Sequence, residues 1–295
     1  MNNCLVLGTV QLGLPYGIAN TTGQPDQSEA NAIIKAAWEN GIYEFDTAQG
    51  YGVSEEVLGN ALMKLGVNRE AKIITKFHPD INLSDADAVI RAVDQSLTKL
   101  KTENLSGILL HREDTLVNWD NGLKETIKRL LAAGKIKQAG ISVYSPQKAL
   151  QALNTEGLDI IQLPTNILDR RFEDAKIFEI AWEKSKKVYI RSIYLQGLLL
   201  LRKIDIPEKM SFVKTALVKV ESLCNKMNLS RQELAMGYVK AAFPDARVIF
   251  GAEKKEQIRD NIAVWNKQYG SALVAEVRCL FNDCEERILN PTLWH

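Results

Sequence analysis

Residues Gly41 to Gly59 read GIYEFDTAQGYGVSEEVLG, and this stretch carries an acid and a phenol where an apolar strand runs into a loop. The run through Phe45 reads as a buried strand, with Asp46 at its C-terminal end and Tyr51 in the glycine-flanked loop behind it. Ser54, ahead of Glu55 and Glu56, reads as the N-cap of the helix that follows. Two further runs end the same way: Lys72-Ile73-Ile74-Thr75-Lys76 closes on Lys76, and Gly107-Ile108-Leu109-Leu110-His111 closes on His111. Three successive strands that each deliver a polar group at the same end predict a parallel α/β barrel. In that fold the reactive side chains gather at the strand C-termini and helices cover the outside.

The alternation continues in both directions. Cys4 to Thr9 predicts the first strand, and the three residues before it are too few for a full hairpin. A loop rich in Gly and Pro leads to Asp26, which caps a helix with Ala30, Ile33, Ile34, Ala37 and Trp38 at helical spacing. Helices are expected over Ser84 to Lys101, Asn121 to Ala133, from Ser145-Pro146 onward, over Phe172 to Ser185, Phe212 to Met227, Ser230 to Phe243 and Lys254 to Trp265. The remaining strands fall at Gln138 to Val143, Ile160 to Leu163, Val188 to Ile193 and Arg247 to Phe250. Eight strands with a helix after each make residues 1–295 a single (β/α)8 barrel domain rather than two domains. Gln196 to Ser211 is the expected mobile insertion over the mouth, and Ala272 to His295 an extra helix and tail.

Composition narrows the function classes. Thirty-seven Lys plus Arg nearly balance 36 Asp plus Glu, so the charge favours neither nucleic acid nor an anionic membrane as partner. Cys4, Cys224, Cys279 and Cys284 lack CxxC spacing or a histidine cluster, which points to reduced structural thiols, no bound metal and a cytoplasmic setting. No segment has the length or apolarity of a membrane span or a leader, and no protein partner is implied. A small molecule is the expected partner.

FDTAQGYG, IITK and LLHRED resemble, in order and spacing, the Asp, Tyr, Lys and His tetrad of the aldo-keto reductases, and the similarity runs over nearly the whole chain. The resemblance implies Tyr51 as general acid and base, Lys76 as its activator, Asp46 as the anchor of Lys76, and His111 as the group that positions a substrate carbonyl. The chemistry suits these residue types. A phenol with a pKa of about 10 is a poor acid at neutral pH. A neighbouring ammonium lowers that pKa, a carboxylate keeps the ammonium charged, and an imidazole donates to the substrate oxygen.

No GxGxxG follows an early strand, so a Rossmann domain is not indicated. The resemblance implies instead NADP(H), with NAD(H) as the alternative, bound across the barrel mouth. Gly8 and Thr9 match the segment beside the nicotinamide ribose; Ser142 and Gln162 match residues that bind the carboxamide. The family's Asn after that Ser is Val143 here, and its stacking aromatic on the seventh strand is Arg191, whose guanidinium can also stack. By the same resemblance, Ser192 and the backbone near Leu195 and Gly197 would face the pyrophosphate. The stretch from Ile249 to Asn261 resembles the one that cups the adenosine phosphate and adenine, with Gly251, Ala252, Lys254, Gln257 and Asn261 as binding residues at a helix N-terminus. Lys254 and Lys255 favour a 2′-phosphate and hence NADPH; Glu253 opposes it.

The implied activity is NADPH-dependent reduction of an aldehyde or ketone, sugar-like compounds among them. The alternative is a cofactor-binding sensor or auxiliary subunit with the reductase fold and little turnover. A barrel aldolase with Lys76 as Schiff-base lysine explains neither the DTAxxY match nor the nicotinamide positions. His78, Tyr16, Trp119 and Tyr194 lie beyond strand ends, where loop position or packing accounts for them.

Overall fold

The computed structural model describes residues 4–294. Its strands are β1 (Leu5–Gly8), β2 (Glu44–Asp46), β3 (Lys72–Lys76), β4 (Gly107–Leu110), β5 (Ala139–Ser142), β6 (Ile160–Pro164), β7 (Lys187–Arg191) and β8 (Arg247–Gly251). They pair in chain order, all parallel, and β8 closes onto β1 with Leu5 opposite Val248 and Gly8 opposite Gly251. The fold is therefore a (β/α)8 barrel. The expectation about a leading hairpin falls on Met1 to Asn3, outside the described residues.

Strand side chains alternate between the barrel interior and the helix layer. Val6, Ile74, Leu109, Ile160, Tyr189 and Ile249 form a small apolar cluster of their own, apart from the main core between strands and helices. Two residues further along each strand direction come Gly8, Lys76, His111, Gln162, Arg191 and Gly251. The same step leads from Glu44 to Asp46 and from Gly140 to Ser142. The period of two thus aims one ring of residues at the C-terminal mouth. Close approach inside the barrel needs a small residue at Gly140, where a Cβ would lie 2.3 Å from the Ile160 carbonyl oxygen. At the opposite end Tyr189 donates its hydroxyl proton to Glu44, with Arg247 at 3.8 Å from the same carboxylate.

The helices begin where capping chemistry puts them. Asp26 and Glu29 form a reciprocal capping box on the helix Gln27–Glu39, and Ser230 and Glu233 do so for Arg231–Ala242. Ser145 caps Pro146–Leu153. Ser54 corrects the expected cap: the helix Ser54–Leu65 has no side-chain cap, because the Ser54 hydroxyl is buried and donates to the Thr9 carbonyl at 2.7 Å. The helix expected over Phe172 to Ser185 is interrupted instead, into Arg171–Asp174 and Ile177–Glu183, with Lys176 between them at φ 56°. After β7 the expected insertion folds as 3-10 turns at Leu195–Leu200, Lys203–Asp205 and Glu208–Val213. The tail adds Ser271–Leu280, Glu286–Leu289 and Pro291–Leu293. Among the described residues no helix is long and apolar enough to cross a membrane.

Candidate active site

A cavity of about 660 Å³ opens at the C-terminal mouth, and Asp46, Tyr51 and His111 all line it. β2 delivers Asp46 and β3 delivers Lys76, neighbours in the barrel, and their side chains meet beneath the cavity floor. Lys76 Nζ donates to both Asp46 oxygens, at 2.9 and 2.8 Å, and to the Thr47 carbonyl at 2.9 Å. The lysine is 1% exposed. A charge so buried requires pairing, and here all three ammonium protons have acceptors. Gln162 Nε2 donates to Asp46 Oδ1 at 2.7 Å, which adds β6 to the network.

Tyr51 stands above this pair. Its ring centroid lies 5.0 Å from Lys76 Nζ and packs edge-on against His111 at 5.6 Å. The loop holding it is tied down by Thr9, whose hydroxyl donates to the Asp46 carbonyl at 3.0 Å and whose carbonyl accepts from the Ser54 hydroxyl at 2.7 Å.

The electrostatics differ from the sequence expectation. Burial, then the Asp46 charge, pushes the Tyr51 phenol well above its ordinary range, while Arg191 pulls it down. Lys76 itself is drawn below its ordinary value by burial, with Asp46 acting the other way. Burial, followed by the Lys76 and Arg191 charges, lowers His111 to about 4, so its imidazole is neutral at pH 7. The site thus holds a protonated phenol and a neutral imidazole side by side.

Nine of the thirteen residues matched to cofactor contacts share this cavity: Gly8, Thr9, Ser142, Gln162, Arg191, Ser192, Gly197, Gly251 and Gln257. Leu195, Ala252 and Asn261 are buried off its wall. Asn261 is occupied by Tyr194, whose hydroxyl donates to it at 2.5 Å, and by the Gln257 carbonyl. Lys254 and Lys255 are exposed and off the wall, whereas Glu253 lines it. The helix Lys255–Asn266 also begins less open than expected, because Gln257 Oε1 accepts from the backbone N–H of Glu253 at 2.6 Å and of Lys254 at 3.2 Å.

Tyr16 and Tyr194 line the cavity; Trp119 is buried elsewhere, donating to the Glu156 carbonyl, and His78 faces Asp80 at 3.6 Å. The sequence reading missed Gln11, Glu113, Tyr144, Arg171 and Glu286 on the wall. Gln11, Glu113 and Tyr144 each follow within a few residues of a predicted strand end, which was the available signal. Arg171 and Glu286 arrive through tertiary folding and carry none.

A model of the aldo/keto reductase family matches residues 4–280. The chain belongs to that family of oxidoreductases. It is 28% identical to the uncharacterized oxidoreductase YqkF of Bacillus subtilis, over 88% of this chain and 90% of that one. It is 29% identical to aldo-keto reductase YhdN of the same organism over about half of each chain, 52% and 48%. A solved aldo/keto reductase from Klebsiella pneumoniae, in complex with NADP and acetate, superposes with a TM-score of 0.72 at 21% identity, covering 94% and 91% of the two chains. The barrel architecture is thus that of this family's solved members.

Proposed function

We propose that this aldo/keto reductase reduces an aldehyde or ketone to the alcohol, with NADPH as the preferred reductant and Tyr51 as the general acid. The observation that carries the reading is the buried Asp46–Lys76 ion pair beneath the Tyr51 phenol, beside a neutral His111, on the wall of the mouth cavity. NADP in the Klebsiella relative supports the choice of cofactor.

The residues fit a nicotinamide. Gln162 Nε2 is committed to Asp46, which fixes the amide orientation, and Gln162 Oε1 is buried without a protein partner. An acceptor so placed suits a carboxamide N–H, and leaving it unpaired is costly. A reduced nicotinamide bound there would supply the hydride.

The side chains do the rest. As the carbonyl carbon gains the hydride and its electron pair, the Tyr51 hydroxyl gives a proton to the oxygen, so C=O becomes CH–OH with atoms and charge in balance. The phenolate left behind is favoured by Lys76 and Arg191 and recovers a proton from solvent. His111 lines the cavity with its ring edge-on to Tyr51, and a ring N–H turned toward the mouth would donate to the carbonyl oxygen and hold it facing Tyr51.

A panel of aldehydes and ketones assayed by NADPH absorbance, beside a fluorescence titration of each cofactor, tests this. Saturable cofactor binding with no turnover on any carbonyl would support the sensor or auxiliary-subunit alternative instead. No binding of either cofactor would end the oxidoreductase reading for this chain.

A further inference from the structure

The cavity wall between β1 and β8 carries an amide that the rest of the described chain leaves unsatisfied. Gln11 lines the cavity, and its Oε1 is buried with no hydrogen-bond partner. Its Nε2 donates to no other described group and is not among the buried unpartnered atoms. With Oε1 turned into the wall, Nε2 is the end open to the cavity, and it carries two uncommitted N–H donors.

The backbone fixes where that amide stands. In the turn Val10–Gly13 the Thr9 carbonyl accepts from the Leu12 N–H at 2.9 Å and the Val10 carbonyl from the Leu14 N–H at 3.0 Å. Gln24 Nε2 donates to the Leu12 carbonyl at 2.9 Å, so the turn is pinned on both sides of Gln11. From there the amide lies across Gly251, the residue paired with Gly8 where β8 closes onto β1. A Cβ at position 251 would come to 2.2 Å from Gln11 Nε2 and 2.8 Å from its Cδ, so glycine there is what gives the amide its seat.

That seat lies between two positions matched to the cofactor. Gln11 follows Gly8 and Thr9, matched to the nicotinamide ribose, and rests on Gly251, matched to the adenosine phosphate. The group that joins those two positions in a nicotinamide dinucleotide is the phosphate on the nicotinamide side of the pyrophosphate. Other donors beside β8 are spent or turned away: Gln257 Oε1 takes the backbone N–H groups of Glu253 and Lys254, and the Lys254 and Lys255 side chains are exposed off the wall. We propose that Gln11 Nε2 donates to the nicotinamide-side phosphate and so holds the cofactor at the junction of β1 and β8. The inference rests on the reductase reading and adds to its cofactor site a residue on the first strand's loop.

A ladder of cofactor fragments tests it without turnover, read by displacement of NADPH fluorescence. Its members are adenosine 2′,5′-bisphosphate, adenosine 2′-phosphate 5′-diphosphate, 2′-phospho-ADP-ribose and NADP, each adding one group to the last. Gln11→Leu is expected to bind the bisphosphate as wild type does and the other three about tenfold more weakly, the loss entering with the second phosphate. Gln11→Glu keeps the shape that rests on Gly251 and replaces the donor with a carboxylate. It should lose more than Gln11→Leu on the same three ligands, and raised salt should narrow the loss. A merely structural role would leave Gln11→Glu near wild type, which overturns the contact.

Gln11→Leu that binds all four ligands as wild type does, or that loses affinity already at the bisphosphate or first at the ribose, overturns the proposal and leaves the reductase reading standing. A raised KM for a carbonyl with the ladder unmoved would assign Gln11 to the substrate and overturn it too. A loss that enters with the second phosphate, in a protein that reduces no carbonyl, upholds the contact and sinks the reductase reading. Wild type that binds neither NADPH nor NADP sinks both.

Discussion

Lys76 Nζ lies against both oxygens of Asp46, at 2.8 and 2.9 Å, and neither side chain is more than 6% exposed. Burial disfavours the ammonium and Asp46 restores it, so the lysine's charge depends on its partner. Lys76→Met is expected to reduce turnover by about 10²- to 10⁴-fold. It also costs about 3–5 kcal/mol of stability, because Asp46 is left buried without its cation. Asp46→Asn is expected to cost comparable turnover, since burial then acts on Lys76 without the carboxylate to offset it. Steady-state kinetics and urea denaturation of both variants measure this; wild-type turnover in Lys76→Met would remove the lysine from the chemistry.

Tyr51→Phe keeps the ring that packs against His111 and removes the transferable proton. Carbonyl reduction should fall by about 10²- to 10⁴-fold, with the loss in kcat rather than in cofactor affinity. Because burial and Asp46 hold the phenol above its ordinary range, wild-type reduction should show no alkaline decline across the neutral region. A variant retaining most of its turnover would shift the proton donor to His111 or water.

The tetrad was legible because each member sits at or just past the C-terminal end of a strand, where a run of apolar residues gives way to a single polar one. Strand parity then carries Lys76, His111, Gln162 and Arg191 to one mouth without further information. What was not legible depends on contacts between distant segments. Ser54 looks like a cap from its neighbours, yet Thr9, 45 residues earlier, takes its hydroxyl. Lys254 and Lys255 look like an anion site from their charge, yet the turn before the helix sends both to solvent and Glu253 to the wall. The raised pKa of the Tyr51 phenol was not legible either: sequence gives the neighbouring charges but not the depth at which the ring is buried.

His111 gives a pH signature. Its pKa is about 4 in the folded chain against 6.5 for an unburied histidine. Between those values the unfolded chain binds the extra proton, so stability rises with pH across that window. The contribution is fully present above about 6.5 and is lost as pH falls toward 4. NMR of the ring protons should show no His111 titration from pH 8 to about 5. His111→Asn should flatten that part of the stability curve. A His111 midpoint near 6.5 would mean the imidazole is solvated, and the case for a neutral donor at lower pH would fall with it.

Cofactor choice is where the structure most changes the sequence expectation. Glu253 lines the cavity, and burial raises its pKa while Lys254 draws it back. Two of the backbone N–H groups expected to meet a phosphate are already taken by Gln257 Oε1. The preference for NADPH over NADH should therefore be small. Glu253→Gln keeps the side-chain shape and removes the charge, so NADPH should tighten by roughly three- to tenfold relative to NADH, an effect that raised salt diminishes. Lys254→Ala and Lys255→Ala, both at exposed positions, should change NADPH affinity by less than about threefold, as for other screened surface charges. The sign of the pH dependence follows from the raised pKa of Glu253: as pH falls its carboxylate protonates, the repulsion of a 2′-phosphate is relieved, and wild type should shift toward NADPH. Glu253→Gln should lack that shift. Dissociation constants for both cofactors at two pH values decide the matter. A loss of tenfold or more in NADPH affinity on Lys254→Ala would mean that the lysine turns inward onto the phosphate and Glu253 does not control the choice.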